Sequence, residues 1–419
     1  MADRNDQGFK NILLTLRHRG FFYYTLGSLM SQIGSWTYRV AAGWLMWELT
    51  YSPTWLGILG FANQFSAILS PLAGVLADRM DRLTLTRISQ FLLFLQGLVL
   101  AAMTYAGMTT PLSLALLALI QGVLQSVDQP ARYSLYPTLI APENLTTAVA
   151  LDSITFNTAR LVGPVIAGFV IVYQGTELAF AINAVTFAAF CACLCIVKAP
   201  PAPPKPARKS DMMSDMREGI DYGLRHPGIG PTLLLLTMST VLAMPLQHLL
   251  PGYSSEVFDM GAVGLSWLTS FMGLGAMVGA FWLARKGSHF GLTAVLVRTF
   301  LVAGLSMFLL TATDIFYVGL IAMAFAGSCS TLSRGTSQTL IQNAVDGAMR
   351  GRVISLFGMI FRVGPAVGAL VMGMAAEAFG FRAPLIAAGI LLVIAWWWAA
   401  RQAPAMVAVL EVEAKDRLH

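Results

Sequence analysis

The chain has 419 residues, of which 56% are hydrophobic and only 11% charged, with a formal net charge of +6. A soluble domain devotes about a quarter of its residues to charged side chains, so this composition excludes a water-soluble globule and points to a surface covered by lipid. The surplus of positive charge suits the anionic inner surface of a membrane, and no nucleic-acid partner is expected.

A hydrocarbon layer of about 30 Å needs about 20 apolar residues per helix. Residues 1–20 are polar, and no small-residue cleavage site follows the first apolar run, so an uncleaved helix at 21–48 is expected. Further spans are read at 55–77, 88–107, 111–135, 148–172 and 178–197. The PPAPPKPARK run then stiffens a linker at 199–228, whose charged part has amphipathic spacing around 212–224. Six more spans follow at 229–250, 263–284, 292–312, 315–332, 353–376 and 383–400. The expected fold is an all-α polytopic membrane protein, twelve transmembrane helices in two pseudo-symmetric bundles at 1–198 and 229–419.

Arginine and lysine resist translocation, and nearly all of them fall in the N-terminal segment and the even-numbered connections. Arg79, Arg82, Arg87, Arg285, Lys286, Arg350, Arg352 and Arg401 are among them, whereas the opposite loops hold only Arg382. Both termini are expected in the cytoplasm of a cell whose inner membrane the chain spans. Cys191, Cys193, Cys195 and Cys329 lie in apolar runs as small packing residues, and neither a metal nor a cofactor is expected. His248 follows Met244 by four residues, a spacing open to a soft metal but more typical of an interfacial histidine. Gly273, Gly275 and Gly279 stand in an apolar helix with no preceding strand, so they serve close helix packing and not nucleotide binding.

Sliding the chain on itself by 201 residues aligns Thr138, Leu139, Ile140, Phe156, Val162, Gly163 and Pro164 with Thr339, Leu340, Ile341, Phe357, Val363, Gly364 and Pro365. Both windows start where an even helix ends and stop in the middle of the next, the register of an ancient duplication. Transporters built from parallel repeats hold their substrate between the halves.

Several segments carry a family likeness: SQIGSW and WELTYSP around the first helix, GVLADRMDR after the second, DQPARYSLYPTLI leaving the fourth, ARLVGPVIAG in the fifth and RGRVISL opening the eleventh. On these the chain resembles the major facilitator superfamily, and within it the third drug:proton antiporter family, enterobactin-exporter-like branch. The resemblance covers nearly the whole chain and implies a working monomer. It implies a cytoplasmic latch made by Gly74, Asp78, Arg79 and Arg82, with Asp78 at the amino end of the eleventh helix, where the dipole favours an anion. Asp81 replaces a glycine usual in that loop. The resemblance also implies an antiporter bend at Gly163 and Pro164, since proline lacks the N–H its helix position needs. Ala159 and Ala167 replace glycines of that motif, and Ala118 stands where the family's fourth-helix arginine is expected.

Ionisable groups deep in a membrane need a partner or a wet cavity, and five are read there: Arg39, Asp128, Asp152, Arg160 and Arg362. Counting from the basic ends at about 1.5 Å per residue places Arg160 and Arg362 near the midplane, with Arg39 about 13 Å from the opposite surface. Three arginines against two acids suggest an anionic or polyhydroxylated solute held by guanidinium forks, with Trp36 and Asn157 beside them. Asp128 and Asp152 are candidate proton carriers, since a carboxylate in a drying cavity gains proton affinity. The plainer alternative pairs Asp128 with Arg132, and Asp128 or Asp152 with Arg160, as structural ion pairs.

The expected function is proton-coupled export of a small molecule, such as a drug, siderophore or metabolite, by alternating access. Uptake, lipid or lysophospholipid translocation, Na⁺ in place of H⁺, and a transport-dead sensor or scaffold fit the same residues. No nucleophile and base stand at related depth, so an enzyme is not expected.

Overall fold

The computed structural model describes residues 18–69, 80–141, 144–199, 212–287, 290–347 and 349–411. Among them there is no β-strand. Helices α1 (Arg19–Thr50), α2 (Pro53–Phe65), α3 (Arg82–Tyr105), α4 (Pro111–Leu135), α5 (Leu145–Gln174) and α6 (Thr176–Ile196) precede the linker. The linker's amphipathic stretch is helix α7 (Met212–Arg225). Then come α8 (Ile229–Met238) and α9 (Leu246–Glu256), joined through a π-helical segment at Ser239–Ala243, and α10 (Gly261–Lys286) and α11 (Leu292–Thr311). Helices α12 (Phe316–Ala344), α13 (Arg350–Phe379) and α14 (Arg382–Leu410) complete the described chain.

Among the described residues ten segments are long and apolar enough to cross a membrane: α3 to α6, α8 with α9, and α10 to α14. Helix α1, with 32 residues, is long enough, but Ser28, Ser31, Gln32, Ser35, Thr37 and Arg39 lower its mean hydropathy. Helix α2 continues as a 3₁₀ turn, Ser66–Leu69, to the edge of the described stretch. The expectation of a polytopic all-α membrane protein is met.

The helices form two compact units, α1 with α3 to α6, and α2 with α7 to α14. In the first, α1 packs on α5 and α6, and α3 on α6. In the second, α10 packs on α12, α11 on α12 and α14, and α2 on α13. The α2–α13 packing places residues 51–65 with the helices that follow the linker. Backbone reaches backbone there: a Cβ on Gly373 would meet the carbonyl of Pro53 at 2.6 Å. Glu377 also accepts hydrogen bonds from Ser52 Oγ (2.6 Å) and the Thr54 N–H (3.1 Å). The halves 1–198 and 229–419 remain our proposal for the boundaries of the repeat.

Each copy of the repeated Gly-Pro pair lies against another helical segment of its own unit, α1 for the first and the π-helical segment between α8 and α9 for the second. A Cβ on Gly163 would meet Trp36 Cβ at 2.5 Å and the Ile33 carbonyl at 3.0 Å, both in α1, and a Cβ on Gly364 would collide with Thr240. Pro164 lies inside α5 and Pro365 inside α13. Each removes the N–H that the carbonyl four residues earlier would accept, that of Arg160 and that of Phe361. In α10, a Cβ on Gly275 would collide with the Ala324 carbonyl of α12, as expected of a packing glycine. Gly275→Leu is expected to overpack this crossing and cost about 1–3 kcal/mol or more, read as a lowered melting temperature.

Helix ends are closed by charged groups that the sequence presents as loop charges. Asp81, where the family motif has glycine, caps α3 by accepting from Thr84 N–H and Thr84 Oγ at 2.8 Å each. Partial burial raises the affinity of its carboxylate for a proton, but the Thr84 hydrogen bonds outweigh it and hold Asp81 below the usual range. A lowered native value stabilises above the ordinary aspartate pKa, so this contribution is lost as pH falls below about 4. Asp81→Ala is expected to cost about 1 kcal/mol at neutral pH and much less at pH 3, measured by thermal unfolding at the two pH values. Arg87 donates to the Leu194 carbonyl (2.7 and 3.2 Å) at the carboxyl end of α6, the end where the helix dipole favours a cation. Buried Glu411 accepts from the N–H groups of Gly291 (2.6 Å) and Thr293 (2.8 Å), which fastens the end of α14 to the start of α11.

Candidate functional site

The first unit brings three of the expected binding residues together. Trp36 is buried in α1 and lies between two guanidiniums, Arg39 Cζ at 4.9 Å and Arg160 Cζ at 5.6 Å from its ring centroid. Gly163 makes this possible by letting α5 lie directly on α1 one turn from Arg160, and Thr37 Oγ donates to the Gly163 carbonyl (3.2 Å) across the same contact. Phe156 closes the cluster edge-on to Trp36, at 6.3 Å and 69°. Asn157 is half-buried and donates to the Ser153 carbonyl (2.8 Å) of its own helix.

Arg39 is exposed and forms no ion pair among the described residues. In hydrocarbon such a guanidinium is costly, and a watery border would relieve that cost. Stacking on an indole face offsets part of the charge and leaves the in-plane N–H edge to bind oxyanions.

Helix lengths leave the depths without a fixed origin. Helices α5 and α13 are each 30 residues long, about 45 Å, and overshoot a 30 Å layer. Measured from the ends remote from the basic loops, Arg39 lies about 16 Å in from Thr50, Arg160 about 21 Å from Gln174 and Arg362 about 26 Å from Phe379. Counted from that side, Arg39 comes at mid-depth, while Arg160 and Arg362 come toward the basic ends. Arg362 is half-buried in the second unit.

Asp128 is 3% exposed and pairs with Arg132 Nη1 at 3.5 Å, the plainer of the two readings of its sequence. Arg132 also donates to Ser28 Oγ and stacks on Phe190, with Cζ 5.0 Å from the ring centroid. Asp128 Oδ1 is buried without a hydrogen-bond partner among the described residues. Asp152 is half-buried in α5 and, with Tyr24, Ser28 and Thr155, lines a cavity of about 10 Å³, room for about one water.

Of the latch, Gly74, Asp78 and Arg79 lie outside the described residues. Arg82 donates to the Ser134 carbonyl (3.0 Å), tying the start of α3 to the end of α4. His248, read as interfacial, pairs with the Gln64 amide at 2.7 Å.

Sequence reading passed over two exposed arginines, Arg298 and Arg334. Arg298 lies about 9 Å from the start of α11, close enough for its long stem to reach the interface. Arg334 was missed because the tenth span was ended at residue 332, whereas α12 runs to Ala344. The signal available was polar spacing, with Ser330, Thr331, Arg334 and Gln338 recurring at three- and four-residue intervals.

Comparison with known proteins agrees with this architecture. The family model described as transmembrane secretion effector matches residues 12–419. The chain is 24% identical to the staphyloferrin A transporter of Staphylococcus aureus (strain NCTC 8325 / PS 47), over 85% of this chain and 90% of that protein. It is 24% identical to the enterobactin exporter EntS of Escherichia coli O1:K1 / APEC, over 95% and 97%. Among solved structures, the nucleoside transporter NupG superposes with a TM-score of 0.73 at 14% identity, covering 91% of this chain and 98% of that one. A bacterial homologue of the iron transporter ferroportin superposes with 0.69 at 16% identity, covering 93% and 99%. From the match over residues 12–419, the ten apolar spans and the shared fold, the chain belongs to the transmembrane secretion effector family of major facilitator transporters.

Proposed function

We propose that this protein is a proton-coupled secondary transporter that exports a small anionic molecule across the inner membrane by alternating access. The observation that carries the reading is the exposed Arg39 at mid-depth, sharing the Trp36 ring with Arg160. Two cations fixed on one indole suit a planar or branched oxyanion bound by charge-assisted hydrogen bonds. The relatives named for staphyloferrin A and enterobactin support a siderophore or a comparable metabolite as cargo. In this reading the protein works as a monomer among membrane lipids, with both termini and the basic loops in the cytoplasm.

Asp152 is the proposed proton carrier, since it borders a water-sized cavity and forms no ion pair among the described residues. Asp128, engaged with Arg132, is the proposed structural partner that holds the neighbouring helices in register.

Purified protein in liposomes tests the proposal with labelled citrate and 2,3-dihydroxybenzoate under an imposed pH gradient. Uphill movement of at least one anion, abolished by a protonophore, is the expected result. Asp152→Asn is expected to keep downhill flux and lose accumulation. Equal accumulation with and without the gradient would remove proton coupling, and transport of the uncharged triethyl citrate alone would remove the anionic cargo. Movement of headgroup-labelled lipid without movement of either anion would favour a lipid translocator instead.

A further inference from the structure

The second unit contains a guanidinium held on an aromatic ring much as Arg39 is held in the first. Arg334 Cζ stands 4.7 Å from the ring centroid of Phe361. That ring stacks on Phe357 with centroids 6.5 Å apart and planes inclined by 3°, and Phe357 is itself buried, so the platform is fixed from behind. Arg362 follows Phe361 directly in α13.

Two observations show room and polar surface beside this platform. A Cβ placed on Gly358, one turn before Phe361 and Arg362, would meet no atom within 4 Å. On α12, Ser330, Thr331 and Gln338 share the face of Arg334, and none of the four is buried. Arg334 lies about 27 Å from Phe316 and about 15 Å from Ala344, at a depth where an exposed guanidinium has to face an aqueous surface.

We propose that Arg334, seated on Phe361, forms with Arg362 and the open space beside Gly358 a second oxyanion-binding patch, which takes a carboxylate or catecholate of the transported solute. The ring beneath it holds the guanidinium in place, so its N–H groups meet the oxyanion at little cost in side-chain freedom. Arg362, one residue on and about 100° around α13, supplies a second positive charge at the same level of the helix. This inference rests on the anionic cargo proposed above and adds a residue that decides which anions are accepted.

Binding of citrate and 2,3-dihydroxybenzoate to the purified full-length protein, measured by calorimetry, tests it with Arg334→Gln, Arg334→Lys, Gly358→Leu and Arg39→Gln. Arg334→Gln is expected to weaken binding of at least one anion about tenfold or more. Arg334→Lys keeps the charge without the fork and is expected to fall between that variant and the wild type. Gly358→Leu fills the space without touching a charge and is expected to weaken the same anion while leaving the melting temperature within about a degree of wild type or higher. It keeps the test decisive should Arg334→Gln fold poorly. Wild-type affinity in both Arg334→Gln and Gly358→Leu, with weakened binding in Arg39→Gln, overturns the patch and leaves the anionic cargo standing. Failure of the wild type to bind either anion overturns the cargo and the patch together.

Discussion

Arg39→Gln is expected to reduce transport of the anionic solute about 10- to 100-fold while the protein folds normally. A hydrogen bond to a charged group contributes about 1.5–3 kcal/mol, and each 1.4 kcal/mol is a factor of ten. Arg39 is exposed and forms no ion pair among the described residues, so its removal leaves no buried charge stranded and little of the fold depends on it. Arg39→Lys preserves charge but not the planar stacking on Trp36 and is expected to recover only part of the flux. Initial rates in liposomes, normalised to correctly inserted protein, check the prediction. Wild-type rates in Arg39→Gln would move the binding site away from Trp36.

The second large effect is on stability. Asp128→Ala is expected to destabilise the first unit by about 3–5 kcal/mol, because it takes the ion-pair partner from the half-buried Arg132 guanidinium, which stands beside Ser28 Oγ and the Phe190 ring. The double variant Asp128→Leu with Arg132→Met removes both charges at similar volume and is expected to recover most of that loss. Melting temperatures in detergent for the two single variants and the double separate the pair from its members. A double variant as unstable as the sum of the singles would show that each charge has independent partners.

The membrane class and the amphipathic linker helix were legible because they depend on residue type at fixed period. The pairing of Asp128 with Arg132 was legible too, since four residues along a helix place both on one face. Arg334 was not, because its helix continues past the lipid-facing run into a polar stretch that hydropathy alone reads as loop. Nor did the sequence show that Arg160 would meet Trp36. That contact depends on Gly163 admitting α5 to the backbone of α1, a distance effect that no window within either helix records. Depth was not legible for a related reason, since a helix longer than the bilayer is thick has no fixed origin from which to count.

The duplicated Gly-Pro pairs have one more consequence. In the alignment that superposes them, Arg160 corresponds to Phe361 and Leu161 to Arg362. In that register the Gly-Pro pair recurs, while the cation next to it stands one residue later, about 100° around the helix. On the proposed reading, shape and selectivity are encoded at separate positions, and point changes on the helix faces beside the Gly-Pro pairs trade one cargo for another while the scaffold stays untouched.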